Sequence, residues 1–150
     1  DIRNKENPLF RTPSNLSCDA FKAHKKIHYT KILNPLKIQA FPCLFKFEKQ
    51  SGKLQVDADK CKEANINIKL VEDTIINLNL NCDRLATDRY TIFKQYNQEI
   101  KKARINGNKN IKAQLSNKWF SKKYPSFFTT RRILLGKDAE KFLKQINYNG

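Results

Sequence analysis

Glycine, histidine and methionine are scarce in this sequence, which has four glycines, two histidines and no methionine. It contains no Gly-rich loop of the kind that cradles phosphates, and neither a Gly-x-Ser-x-Gly elbow nor a His-Glu-x-x-His pattern occurs. The sequence therefore excludes three common catalytic motifs. Because the chain begins at Asp1 and lacks methionine, we expect either a mature, processed product or a chain cut from a longer one.

Long apolar runs and acidic residues are also few. No run approaches the roughly 20 apolar residues that a membrane-spanning helix needs. The 30 Lys and Arg residues outnumber the 14 Asp and Glu residues, which gives a net charge of +16. The usual partner of such an excess is a polyanion: RNA, DNA or an anionic membrane surface. The length of 150 residues fits one domain with its own hydrophobic core.

The cysteines are even in number and lack a Cys-x-x-Cys pair. This pattern favours two disulfide bonds over a zinc site. The bonds would form among Cys18, Cys43, Cys61 and Cys82, for which three pairings are possible. The alternative is a Cys₂His₂ zinc site in which Cys18 and Cys43 join His24 and His28. A glycosylation sequon at residues 15–17 is consistent with secretion. We predict no cofactor and no metal.

The stretch from Ile66 to Cys82 shows the clearest pattern in the chain. Apolar residues alternate with Asn and Lys on either side of an acidic interruption at residues 72–74. Alternation with a period of two is typical of a strand with one apolar face, and the interruption has turn chemistry. The sequence therefore predicts an antiparallel hairpin, which needs further strands or a helix to cover its apolar face.

The remaining patterns predict an α+β fold: an antiparallel sheet of about five strands packed by an N-terminal helix, with a basic helical C-terminal extension. Further strands are predicted at Phe41–Glu48, Leu54–Asp57 and Arg89–Lys94, and helices at Cys18–Leu33, Gln95–Ile105, Asn110–Lys123 and Asp138–Asn147. We expect an arm at residues 1–17 and a single domain at 18–150. Within that domain, residues 18–95 form the helix and sheet, and residues 96–150 form the extension.

Positive charge is concentrated in the predicted extension. Residues 94–150 hold 14 basic and 3 acidic side chains, whereas residues 1–93 hold 16 and 11. Cations neutralise phosphates and aromatic rings stack on bases, so we predict a nucleic-acid-binding surface there. A solvated helix face and attraction to anionic lipid are the alternatives. The predicted residues are Lys101, Lys102, Arg104, Lys112, Lys118, Trp119, Lys122, Lys123, Arg131 and Arg132.

The order of the predicted elements resembles the small guanyl-specific ribonucleases secreted by fungi and the catalytically degenerate ribonuclease-like effectors of powdery mildews. The pieces that carry the resemblance are Cys18, the helix to Leu33, Phe41-Pro42-Cys43, Leu54–Asp57, Asp73-Thr74-Ile75-Ile76, and Tyr90–Phe93 after Cys82. Cys43 stands where that family has its first histidine, and Thr74 stands where it has its arginine. The resemblance therefore implies a ribonuclease-shaped protein without the family's catalytic groups.

Three hypotheses follow. The first is a secreted, non-catalytic effector that acts in virulence, with or without entry into a host cell. It would bind RNA or a host protein through the basic extension. The second is an intracellular nucleic-acid-binding assembly subunit whose cysteines stay reduced. The third is a nuclease that uses His24 or His28, although two histidines on one helical turn do not straddle a phosphate.

Overall fold

A computed structural model of the chain describes residues 13–22, 29–121 and 124–150. The part of the chain that it describes is mostly helical, with one two-stranded antiparallel sheet. The elements are α1 (Cys18–Lys22), β1 (Phe45–Phe47), β2 (Leu54–Val56), α2 (Ala58–Glu63), α3 (Ile68–Asn77), α4 (Asp83–Ile105), α5 (Ile111–Phe120), α6 (Phe128–Leu135) and α7 (Lys137–Gln145). Short 3₁₀ turns lie at Pro13–Asn15 and Tyr29–Lys31.

The predicted central hairpin is wrong, because residues 68–77 form helix α3. Asn67 caps this helix by accepting a hydrogen bond from the backbone N–H of Lys69 at 2.8 Å. Lys69 reaches Asp73 one turn later at 2.9 Å, so the acidic interruption lies on the helix surface rather than in a turn. Val71 and Ile75 are buried at helical spacing. The apolar residues of this stretch fit both the two-residue period of a strand and the 3.6-residue period of a helix. Burial of Val71 in the core favours the helix.

The asparagines of this stretch do not form one polar strand face. The side chain of Asn77 donates to the carbonyl of Lys31, and that of Asn79 donates to the carbonyls of Ser14 and Leu16. Asn79 also has a positive φ of 48°, and backbone hydrogen bonds to Ile75 and Ile76 close a Schellman motif around it. Each amide therefore ties the end of α3 to a different segment.

The β1–β2 hairpin was predicted correctly in part. Phe45, Lys46 and Phe47 pair with Val56, Gln55 and Leu54 in antiparallel register, and the chain reverses direction in a turn at residues 49–51. On its other edge, both backbone groups of Leu54 bond to the side-chain amide of Asn81, at 2.8 and 2.9 Å. The hairpin contacts α3 through β2 and α6 through β1.

Helix α4 spans 23 residues and replaces the strand predicted at Arg89–Lys94, which is wrong. Its buried residues recur every three or four positions as Leu85, Ala86, Arg89, Ile92 and Tyr96. The helix ends at Ile105 as predicted, where Gly107 closes a Schellman motif with a φ of 67°. The predicted five-strand α+β sheet is therefore wrong: among described residues only three-residue strands β1 and β2 occur.

Two hydrophobic clusters lie on either side of the hairpin. The first contains Leu33, Leu44, Cys61 and Val71. The second contains Tyr96, Leu115, Phe120, Leu135, Ala139 and Leu143 and is built by α4–α7. The amphipathic helix predicted at 138–147 is confirmed as α7, and Phe128–Leu135 forms a further helix, α6.

The N-terminal helix predicted to reach Leu33 is wrong at its described end, because residues 29–31 form a 3₁₀ turn. Residues 23–28 lie outside the described part of the chain. Segment 13–17 contacts α4 through Arg84, whose guanidinium donates to the hydroxyl of Ser17 at 3.0 Å. The division into an arm at 1–17 and a domain at 18–150 stays a prediction.

Candidate nucleic-acid interface

Exposed cations collect where α4 ends and α5 begins. Residues 106–110 join the two helices in a tight turn, so the last turn of α4 and the first turn of α5 lie side by side. We call this set of residues the basic corner: Lys101, Lys102, Arg104, Lys109 and Lys112. All five side chains are exposed. Four of them were predicted as binding residues, and Lys109 lies in the turn that joins the two helices.

Within the described part of the chain, the charge of the basic corner is not neutralised by an ion pair. Residues 100–137 contain no Asp or Glu, and the ion pairs found among the described residues lie elsewhere. Lys102 and Arg104 suit the negative end of the α4 dipole, but Lys112 stands at the positive end of α5. Helix stability therefore does not explain the whole set, whereas a bound phosphate would offset the charge.

Trp119 does not form an open stacking platform. Its ring is half-buried, with the ring of Tyr96 at 6.3 Å and the guanidinium of Arg131 over it at 4.8 Å. The Nε of Arg131 also donates to the carbonyl of Ser126, and burial lowers the pKa of this arginine. Lys118, on the same helix, is exposed. Of these three predicted residues, Lys118 is the one free to meet a phosphate directly.

Arg132 is placed inside the protein. Its side chain is 6% exposed, and its Nε and Nη2 donate to the two carboxylate oxygens of Glu140 at 2.6 and 2.7 Å. Its Nη1 donates to the carbonyl of Ala40 at 2.8 Å, and the guanidinium lies 4.8 Å from the ring centre of Phe41. An arginine held at all three nitrogens is unsuited to binding a phosphate, so we leave Arg132 out of the interface.

Several predicted residues fall outside the described part of the chain, namely Lys122, Lys123, His24 and His28. Among the residues that are described, no three His, Cys, Asp or Glu side chains lie close enough together to hold a metal ion. No helix within the described ranges has the length and apolar character to cross a bilayer.

The four cysteines are free thiols, so the predicted disulfide bonds are wrong. Cys61 and Cys82 are buried in separate places, and Cys61 belongs to the first hydrophobic cluster. Burial raises the pKa of the Cys43 and Cys61 thiols. A raised pKa keeps a thiol protonated and unreactive, which indicates a packing role for these two residues.

Comparisons with known proteins give one informative similarity. No family model matches the chain, and no solved structure matches it significantly. A protein of Escherichia coli described as "Retron Ec83 putative HNH endonuclease" is 32% identical over 144 residues. The aligned region covers 86% of this chain and 54% of the relative, so the chain spans about half of the relative's length.

This similarity overturns the resemblance to fungal ribonucleases, which depended on a sheet that the fold does not contain. The relative is bacterial and is described as an endonuclease. The predictions of a secreted virulence effector and of a protein without enzymatic activity are therefore wrong. Since an endonuclease acts on nucleic acid, the similarity agrees with a nucleic-acid partner and favours the nuclease hypothesis over the effector.

Proposed function

We propose that this protein works in nucleic-acid cleavage and that its basic corner holds the nucleic-acid backbone. The observation that carries the proposal is the set of five exposed cations of the basic corner, where α4 ends and α5 begins, with no ion pair to them among the described residues. The similarity to an endonuclease supports it independently of charge. The basic corner consists of Lys and Arg side chains, which hold phosphates by charge, so we assign to it the positioning of substrate and not the bond-breaking step.

The binding part of the proposal predicts a steep dependence on salt. Replacing Lys101, Lys102 and Arg104 by alanine removes three phosphate contacts and should lower the slope of log K against log [salt] by about 2.7 for duplex DNA. At 100 mM salt we expect affinity to fall roughly 100-fold, measured by fluorescence anisotropy with a labelled oligonucleotide. Duplex DNA, single-stranded DNA and RNA should be compared, because the relative's description does not separate them.

A matched control removes the same charge elsewhere. Lys49, Lys53 and Lys62 are exposed on the other half of the protein, and their replacement by alanine also lowers the net charge by three. This variant should keep nearly all of the affinity and the salt slope. Equal losses in the two triple variants would show that net charge alone drives binding and would contradict the basic corner as the contact surface.

The cleavage part of the proposal is tested at the two histidines. Imidazole is the side chain whose ordinary pKa lies near neutrality, and general acid–base groups typically contribute about 10²–10⁴-fold to rate. If bond breaking takes place in this chain, His24→Ala/His28→Ala should lower cleavage of a labelled oligonucleotide at least about 100-fold with affinity unchanged. Cleavage that persists at the same rate in this double variant would contradict a role for the histidines.

A further inference from the structure

A cavity of about 300 Å³ lies between the end of α5 and the end of α7. Its walls are mostly aromatic and aliphatic, and its lining includes Phe120, Tyr124, Phe128, Leu143, Ile146 and Tyr148. We call it the tyrosine pocket. Three of its rings form a cluster: Phe128 and Tyr148 are 5.1 Å apart, and Tyr124 is 5.7 Å from each of them.

The mouth of the pocket is open, and large exposed side chains stand beside it. Tyr124 is 69% exposed and Ile146 is 48% exposed, which is unusual for large apolar side chains beside a formed cavity. Polar groups lie at the edge of the same cavity, on Ser121, Asn147 and the tyrosine hydroxyls. A concave apolar site with a few polar groups at its edge is the usual form of a binding site for a small planar group.

The surrounding charge decides which planar group fits. Aromatic clusters also bind cations, but Arg132 already lies 5.8 Å from the ring centre of Tyr148, and no acid occurs between residues 100 and 137. Lys122 and Lys123 directly precede Tyr124 in sequence. A cationic ligand would meet repulsion here, whereas a base attached to a phosphate chain would be attracted.

We propose that the tyrosine pocket takes one unpaired nucleobase, so that the substrate is single-stranded or carries an unpaired base about 15 Å, the length of α5, from the phosphates held at the basic corner. The proposal rests on the proposed function and adds the class of substrate. A cavity of about 300 Å³ has room for a single base, and a base must leave its partner to enter it. Stacking on the exposed Tyr124 ring tolerates any base, so preference for unpaired strands rather than for a sequence is expected.

The test compares three oligonucleotides of one length: a single strand, the same strand in a duplex, and a strand with abasic sites. Tyr124→Ala should lower affinity for the single strand about tenfold and leave affinity for the duplex and the abasic strand unchanged. Tyr124→Phe keeps the ring and should bind like the unaltered protein. Leu36→Ala is the matched control, because it shortens an exposed apolar side chain that does not line the tyrosine pocket. Photocrosslinking with a 5-iodouracil strand should label Tyr124 or Tyr148.

The outcomes separate this inference from the proposed function. A protein that binds nucleic acid with a steep salt dependence but loses nothing in Tyr124→Ala would overturn the tyrosine pocket and leave the basic corner standing. The same result is expected if an apolar peptide or a second copy of the chain occupies the cavity. If the unaltered protein binds none of the three oligonucleotides, both proposals fail. Since Tyr124 is mostly exposed, the variants should fold, which circular dichroism can verify.

Discussion

Gly52→Ala is expected to lower the free energy of unfolding by about 4 kcal/mol, a large share of the roughly 5–15 kcal/mol typical of a domain. Gly52 lies in the turn between β1 and β2 and has a φ of +75°, a conformation that costs an alanine about 1–2 kcal/mol. Urea denaturation followed by circular dichroism measures the change. The midpoint should fall sharply with little change in slope.

Steric overlap accounts for the rest of the expected loss. A Cβ at position 52 would lie 2.1 Å from the backbone oxygen of Ala86 and 3.2 Å from the Cβ of Tyr90, both on α4. Backbone of a long helix cannot move aside as a flexible side chain can, so the hairpin would have to shift away from α4. That shift would also disturb the contact between the rings of Phe47 and Phe93, whose centres are 5.5 Å apart.

Gly107→Ala is the matched control for this prediction. Gly107 has a similar φ of +67°, but a Cβ there would meet no atom within 4 Å. Its replacement should cost only the conformational term, about 1 kcal/mol. Similar losses in the two variants would mean that the tip of the hairpin does not pack against α4 as the structure places it.

The sequence predicted the elements whose signals are local and failed where two periods compete. Gly107 after a cationic last turn, and the strict spacing of Ala139, Phe142 and Leu143, identified the end of α4 and the course of α7. In residues 66–82 the alternation of apolar residues and Asn suggested a strand. Asn67 instead caps α3, and the amides of Asn77, Asn79 and Asn81 bond to three separate distant segments. Such long-range contacts leave no periodic signal in a sequence.

The candidate site was predictable in its charge but not in its geometry. An acid-free run of residues indicated the surface that includes Lys101 and Lys112, since exposed cations need no tertiary contact to be recognised. Arg132 looked equivalent to its neighbours, and only the fold shows that Glu140 holds it inside. Likewise Trp119 is covered by Arg131, while Tyr124 is the ring left exposed. The packing of Trp119 against Tyr96 of α4 and Arg131 of α6 decided this, and it depends on tertiary structure.

Glu140→Gln is expected to lower the free energy of unfolding by about 3 kcal/mol, because it leaves the charge of Arg132 buried without its carboxylate. Breaking a buried ion pair typically costs about 3–5 kcal/mol, and the lower figure suits a glutamate whose side chain is 31% exposed. Thermal or urea denaturation measures the loss. Arg132 lies on α6 and donates to Glu140 of α7 and to the carbonyl of Ala40. Its loss of a partner should therefore weaken the packing of α6 against both α7 and the segment around Ala40.

A comparison of two buried arginines, Arg132 and Arg89, shows how the Glu140 carboxylate stabilises a buried positive charge. Burial disfavours the charge of Arg132, but the hydrogen bonds that Arg132 donates to the Glu140 carboxylate, together with nearby negative charge, more than offset it, so the pKa of Arg132 is raised. Arg89 is also buried, and its Nη1 has no hydrogen-bond partner among the residues that the structure describes. Burial therefore lowers the pKa of Arg89. Glu140→Gln would leave Arg132, like Arg89, as a buried guanidinium without a carboxylate bonded to it, and its pKa should fall.

Two further variants separate a buried pair from an ordinary surface contact. Glu63→Gln removes the carboxylate from the exposed pair between Lys60 and Glu63 and should change stability little, because water solvates both partners. The double variant Arg132→Met/Glu140→Gln removes the buried charge itself and should be more stable than Glu140→Gln alone. If Glu140→Gln is as mild as Glu63→Gln, the Arg132 guanidinium must reach water, and Arg132 would then return to the list of side chains able to bind a phosphate.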